Sequence, residues 1–252
     1  MGTHRLVSEL SLDKPLHPVR VKVICKGPTV VGSGFQKTVL IIGDEKGNTI
    51  QATLVRDLEA SADMPLEEGH SYEIKDFELS HVIPERVRLT RNRYNINITK
   101  SSVVLKIDPI KHFSFYCFPN WDDLYRGLHH PKFPIDIYGQ VIGVGFLEEY
   151  IMEPVNGNNG IIDHKIRFFV LHIPNVVIKC VAYGALAHVF NDLWNSIDAD
   201  IVLCVLQCWQ INWGQGRLKR VTNIDGISKI VFDPIGVPEI DDLRLRIANE
   251  DF

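Results

Sequence analysis

The sequence predicts an all-β chain with short helices, built as two tandem five-stranded barrels. Short apolar segments alternate with turn signals along most of its length, the pattern of brief strands joined by tight connections. The order strand, strand, strand, helix, strand, strand occurs twice, about 120 residues apart, which marks two copies of one module. With 252 residues, 45% of them hydrophobic and 23% charged, each copy has enough chain for a core of its own.

In the first copy, residues 15–107, VRVKVIC with KGPTVVGSG, KTVLIIG and TIQATLV read as three strands. Asp44 to Asn48, between the last two, supply the Asp, Gly and Asn that a tight hairpin requires. The stretch DLEASADMPLEEGHSYEIKDFEL reads as a short helix or irregular segment, then a fourth strand from about Tyr72. In RVRLTRNRYNINITK, the fifth strand, the apolar phase slips around Thr90 to Asn92, so a bulge or turn must reset which side chains face inward.

Residues 108–133 form a linker rich in proline and aromatics. Phe113, Phe115, Tyr116, Phe118 and Trp121 would be costly to leave in water, so this linker is expected to pack on a neighbouring barrel. Trp121, Leu124, Tyr125 and Leu128 have helical spacing, with Asp122 and Asp123 read as its capping residues.

The second copy, residues 134–236, reads IDIYGQVIGVG, a polar insertion EEYIMEPVNGNNG, KIRFFVLHI, VVIKCVAYG, a helix over Gly184 to Asn195, DADIVLCVLQCWQINW and RLKRVTN. The helix carries Leu186, Phe190, Leu193 and Trp194 on one stripe, suited to closing one end of a small barrel. Five strands with a helix between the third and fourth is the oligonucleotide/oligosaccharide-binding (OB) barrel. Residues 237–252 are an exit segment.

On these motifs the chain resembles the large subunit of replication protein A, the eukaryotic single-strand DNA binder, and the plant-type proteins that look like its two central OB modules. In the first module TVLIIGDEKGNTIQATLV looks like that family's strands around an acidic glycine turn, while MPLEEGHSYEI and LTRNRYNINI resemble its fourth and fifth strand regions. In the second, VVIKCVAYG resembles the strand ending in an aromatic-Gly pair, INWGQGRLKRV the aromatic hairpin and VFDPIGVPEIDDLR the proline-bearing exit. Together these span about residues 15 to 245. The family's amino-terminal interaction module and zinc-bearing third barrel have no counterpart among these motifs.

The resemblance implies that Tyr183 and Trp213 are the rings on which bases stack in the second module. An exposed ring contributes roughly 1–3 kcal/mol per base with little regard to sequence. The bland alternative is that both rings are core, although Trp213 adjoins the glycine turn of Gly214 and Gly216. Trp194 and Trp209 lie inside apolar runs and read as core. Arg217, Lys219 and Arg220, with Lys165 and Arg167 on the facing strand, would neutralise phosphates, or else form a solvated hairpin end. Lys179 alternates with interior positions and is a weaker candidate. In the first module the ring positions fall on Thr38 and Glu73, neither of which can stack. Phe35 and Phe77 are the substitutes, within a groove of Lys22, Lys26, Lys37, Arg88, Arg91 and Arg93.

The formal charge of −4 excludes a uniformly basic face, so any polyanion site must be a local patch. Residues 1–110 hold 15 Lys/Arg against 14 Asp/Glu, and residues 111–252 hold 12 against 17. The patches are Arg86 to Lys106 and the hairpin Ile211 to Val221. Five cysteines without regular spacing argue against both a disulfide framework and a zinc site. No spanning run, secretory signal, nucleotide cradle or metalloprotease motif occurs, and no cofactor or catalytic residue is expected. The function expected is noncatalytic, sequence-tolerant binding of single-stranded DNA, with RNA as second choice. The setting implied by the resemblance is nuclear, in replication, repair, recombination or telomere maintenance, with another OB subunit or a replication or repair protein as possible partner and no membrane. The alternative is an OB scaffold that binds protein through a degenerate groove.

Overall fold

Period-2 alternation of apolar and polar residues gives most of the chain its strands, and their pairing closes two barrels. The computed structural model describes residues 4–30, 36–55, 66–82, 88–110, 115–151, 162–172, 176–214 and 217–249. The chain divides into two units, Met1–Phe115 and Tyr116–Phe252.

In the first unit the strands are β1 (Val19–Val30), β2 (Gln36–Gly43), β3 (Thr49–Val55), β4 (Ser71–Lys75), β5 (Glu78–His81), β6 (Tyr94–Ile98) and β7 (Val103–Ile107). They order as β5-β6-β3-β2-β1-β4-β7, with β3 and β6 parallel. β4 and β5 are two halves of one barrel strand. The first half pairs with β1 and the second with β6, which closes the ring. The hairpin between β2 and β3 is the expected Asp44–Asn48 turn. The buried Asp44 carboxylate accepts the backbone N–H of Lys46, Asn48 and Val7, and Gly47 takes a φ of 77°.

The second unit repeats this plan with β8 (Ile135–Val144), β9 (Glu148–Ile151), β10 (Ile162–His172), β11 (Val176–Tyr183), β12 (Leu203–Gly214), β13 (Arg217–Thr222) and β14 (Lys229–Phe232). β8, β10, β11, β13 and β12 form the closed ring, with β11 and β13 parallel. Its helices are α1 (Trp121–Tyr125), α2 (Ala185–Ser196) and α3 (Pro238–Ala248). The cap of α1 is Asn120, whose side chain accepts from Asp123 N, so Asp122 and Asp123 occupy the first turn and are not the cap itself. On α2 the buried residues are Ala187 and Phe190, while Leu193 is 40% exposed and leaves the expected stripe. Phe190 stacks on Phe168 of β10. Trp209 is fully buried, its indole N–H donating to Lys229 O.

The fourth barrel strand breaks in the same way in both units. Asp76, between β4 and β5, has φ 51°, and Cys208, within β12, has φ 58°. Such backbone is uncommon for non-glycine residues and lets one strand serve two neighbours. Each break is held by a buried serine just before the next strand. The Ser102 hydroxyl donates to Asp76 O (3.1 Å) and accepts from Thr99 N (3.0 Å). The Ser228 hydroxyl donates to Cys208 O (2.6 Å) and accepts from Ile224 N (2.7 Å). In the second unit Asp136 adds a further tie, accepting from Cys208 N (2.7 Å) and Cys117 N (2.6 Å). Burial pushes its carboxyl up to about 6, against the pull of those two N–H donors.

The segment between the barrels divides. The Phe115 ring packs at Gly43, where a Cβ would lie 2.8 Å from the ring edge, and Lys22 Nζ stands 5.0 Å from the ring centre. Tyr116 and Phe118 join Tyr138 and the buried Ile240 and Leu243 of α3 in a small second core. Phe113 lies outside the described residues.

Replacing either serine strands a carbonyl and an N–H that lie at least partly away from water. Ser102→Ala and Ser228→Ala should each cost about 2 kcal/mol in urea unfolding, whereas replacing the exposed Ser101 should change little. The raised Asp136 pKa gives a signed pH effect. The unfolded carboxyl ionises near 4 and the folded one near 6, so the folded state holds more protons between them, and stability from this group falls as pH rises through that window. The stability gap between wild type and Asp136→Asn should therefore widen in favour of wild type from pH 7 to pH 4.5.

Candidate functional site

The site expected from the sequence falls on β10, β11 and the β12–β13 hairpin. Tyr183 ends β11 opposite Lys165 of β10. Its backbone is clamped by Asn223, which accepts from Tyr183 N (2.8 Å) and donates to Tyr183 O (3.2 Å). Gly184 then turns the chain into α2 with φ 63°, a conformation that a side chain would strain. The Tyr183 ring is part-exposed and meets Tyr150 of β9 edge-on, with ring centres 5.3 Å apart. The Tyr150 hydroxyl donates to Asp163 (3.1 Å). Burial, that hydrogen bond and the Asp163 charge push the Tyr150 phenol up to about 12.

Trp213 pairs with Leu218 across the hairpin, beyond a register shift after Asn212. Both side chains are part-exposed and rest against the barrel core. Gly214 lies beneath Lys219, whose side chain would stand 3.1 Å from a Cβ there. The two rings are not neighbours. β13 runs parallel to β11 with Val221 beside Cys180, which sets Leu218 level with Val177, six residues from Tyr183. At about 3.3 Å per residue the rings stand at the two ends of this strand pair, roughly 20 Å apart along it.

The cations fall into two groups. Lys165 and Arg167 are held by Glu148 of β9, the lysine at 3.7 Å and the arginine in a close ion pair. Glu149, next along β9, faces His164 at 4.0 Å. On β13, Lys219 is exposed, and Arg220 makes no ion pair among the described residues, its buried Nε lacking a hydrogen-bond partner. Of Arg217 only the backbone is described.

The first unit offers less. Phe77 is 4% exposed and belongs to the core, so it has no face for a base and cannot replace a missing ring. Phe35 lies outside the described residues. Thr38 is buried on β2, and Glu73 is bound by Arg20 (2.9 Å) and Lys75 (2.7 Å), which together lower its pKa. The topology also corrects the positions compared. Tyr183 ends the third barrel strand, whose end in the first unit is Val55, and Trp213 ends the fourth, whose counterpart is His81. Lys26, Lys37, Arg91 and Arg93 are exposed, and Lys22 is part-exposed against Phe115. Arg93 stands over the Tyr94 ring at 4.9 Å, and Arg88 is part-buried and donates to Asn92 O. No cluster of His, Cys, Asp and Glu able to hold a metal occurs among the described residues.

With this geometry in view, the chain is similar along 98% of its length to a replication protein A heterotrimer bound to single-stranded DNA, with a TM-score of 0.66 and 16% identity. Both units are OB barrels. The chain spans about half, 55%, of that solved chain's length. Fission yeast Pot1 with single-stranded DNA (TM-score 0.34, 10% identity, 96% of this chain and 90% of that one) and a murine DNA-binding protein with double-stranded DNA (0.40, 10%, 88% and 97%) align too loosely to carry an argument. Residues 11–126 match the family model described as domain of unknown function DUF223. No curated protein matches the sequence.

Sequence reasoning missed Glu148 and Tyr150, which it placed in a polar insertion. The available signal was the alternation in EEYI, which sets Glu148 and Tyr150 on one side of β9 and Glu149 and Ile151 on the other. It also missed α3, although Ile240, Leu243 and Ile247 have helical spacing behind Pro238.

Proposed function

We propose that this chain binds single-stranded DNA without catalysis and with little regard to sequence, and that the second barrel dominates. One observation carries the reading: part-exposed rings, Tyr183 and Trp213, stand at the two ends of the β11–β13 pair, with Arg220, which makes no ion pair among the described residues, between them. An unpaired strand laid along this wall would stack bases at both ends and bring phosphates to Arg220 and Lys219, with Arg217 at the hairpin end. The known use in OB barrels of the face that includes the third strand, and of the loop joining the fourth and fifth, supports this placement, as does the fold shared with a DNA-bound replication protein A. We propose as its setting nuclear work on exposed single strands in replication, repair, recombination or chromosome-end protection, alongside another OB subunit.

Glu148 sets the strength of binding. It occupies the two cations of β10, so a phosphate must displace it to reach Lys165 and Arg167. A second reading applies to the first barrel, where Phe115 covers the outer face at Gly43 and the compared positions hold Val55 and an imidazole, His81, that leans on Tyr94. That barrel suits a protein partner better than a base-stacking role.

Fluorescence anisotropy with a labelled oligodeoxythymidine strand at two salt concentrations tests the proposal. Binding should weaken steeply with salt. Tyr183→Ala and Trp213→Ala should each lower affinity about tenfold, and Glu148→Gln should raise it severalfold. No binding at low salt, or binding indifferent to both rings, would leave the scaffold reading in place.

A further inference from the structure

We infer that Phe169 and Lys179 form a third base-and-phosphate position on this wall, between Tyr183 and Trp213 and nearer the latter. The inference rests on the reading of the wall as a single-strand track and adds a subsite that the resemblance does not supply. Phe169 lies on β10 between two buried inward residues, Phe168 and Val170, so the alternation of the strand turns it to the outer face, where it is 37% exposed. A lone exposed phenylalanine needs no explanation, but the surroundings of this one do.

Its partner across β11 is Lys179, exposed and with no ion pair among the described residues. Residues directly opposite in an antiparallel pair share a face, so the ring and the ammonium stand side by side. On the other flank Phe169 is opposite Gly143 of β8, whose absent Cβ would lie 3.6 Å from the ring, an ordinary packing distance. No side chain at that position rises beside the ring. On β13, Arg220 is level with Lys179, because the parallel register sets Val221 beside Cys180.

The spacing fits one strand. Tyr183 is four residues from Lys179 along β11, about 13 Å at ~3.3 Å per residue, and the level of Trp213 is two residues the other way. Tyr183 and Phe169 therefore follow one another on the outer face, Trp213 is met at the hairpin end where it rests against the core, and Phe169 stands beside Lys179 and Arg220, neither of which has an ion pair among the described residues. Lys165 and Arg167, further along β10, are bound by Glu148, whereas Lys179, Lys219 and Arg220 have no ion pair among the described residues and meet a phosphate without displacing an acid. A base stacked on Phe169 would place its phosphate within reach of Lys179. Stacking of this kind tolerates any base, since each presents a flat π face.

The test walks a single 2-aminopurine through an oligodeoxythymidine strand and reads its emission when bound, for wild type, Phe169→Ala and Lys179→Ala. Thermal melting checks that each variant is folded, which exposure of both side chains favours. Wild type should quench the probe at three separated positions. Phe169→Ala should restore emission at the middle one alone and lower affinity about tenfold. Lys179→Ala should keep all three quenched positions and reduce the slope of log affinity against log salt by about one phosphate contact. Quenching at two positions in wild type, or a Phe169→Ala variant with unchanged pattern and affinity, overturns the inference and leaves the two-ring reading intact. Loss of quenching at all three positions in Phe169→Ala also overturns it, since the ring would then be supporting the wall instead of meeting a base. A wild type that binds no strand brings down both readings.

Discussion

A serine hydroxyl at the break in the fourth strand of each barrel is the interaction on which the rest of the structure depends. The closed ring needs one strand to pair first with the first strand and then with the fifth, and it can do so only by kinking through a positive φ at Asp76 or Cys208. A kink leaves backbone groups without ladder partners, and each one unsatisfied away from water is expensive. Ser102 and Ser228 answer this in the same way, each accepting from one backbone N–H and donating to the carbonyl of the kinked residue. In the second unit Asp136 adds two accepted hydrogen bonds and fixes the incoming linker at Cys117 to the same point. The direction in which β12 leaves that kink decides where Trp213 and the hairpin cations stand.

Beyond the kink, the second barrel divides its charges by strand. The acidic β9 lies along β10 and occupies Lys165 and Arg167, while β13 keeps Arg220 without an acidic partner among the described residues. An acidic chain can thus hold a cationic track on one wall, because the acids that would oppose it are committed to particular partners. The first barrel uses the same plan differently. Phe115 packs over Gly43, and Glu73 is taken up by Arg20 and Lys75.

Much of this architecture was legible in the sequence because β-strand periodicity and turn chemistry are local. The hairpin at Asp44–Asn48, the third strand ending in Tyr183, the aromatic-Gly turn and the buried Trp209 all follow from short patterns. The long-range pairings were not legible. That Ser102 and Ser228 play the same part depends on bonds to residues 26 and 20 positions away, and neither is flanked by a motif that announces it. The equivalence of positions between the two barrels was misjudged for the same reason: Thr38 lies on the second strand and Tyr183 on the third, a difference visible only once the register is known. Phe77 looked like a spare ring because exposure of a single strand residue is set by the kink beside it, and here the kink turns it inward. The α3 helix and the acidic β9 were available as spacing but were passed over, one behind a proline and the other beside a glycine-rich stretch.

The central claim is that an unpaired strand runs along the second barrel from Tyr183 on the outer wall to Trp213 at the hairpin end. Photo-cross-linking with a strand containing 5-iododeoxyuridine, followed by mass spectrometric mapping of the modified peptides, tests it most directly. The account predicts adducts on Tyr183 and on Trp213, at different positions of the same strand. Adducts confined to the first barrel, or a bound strand that cross-links to neither ring, would contradict it.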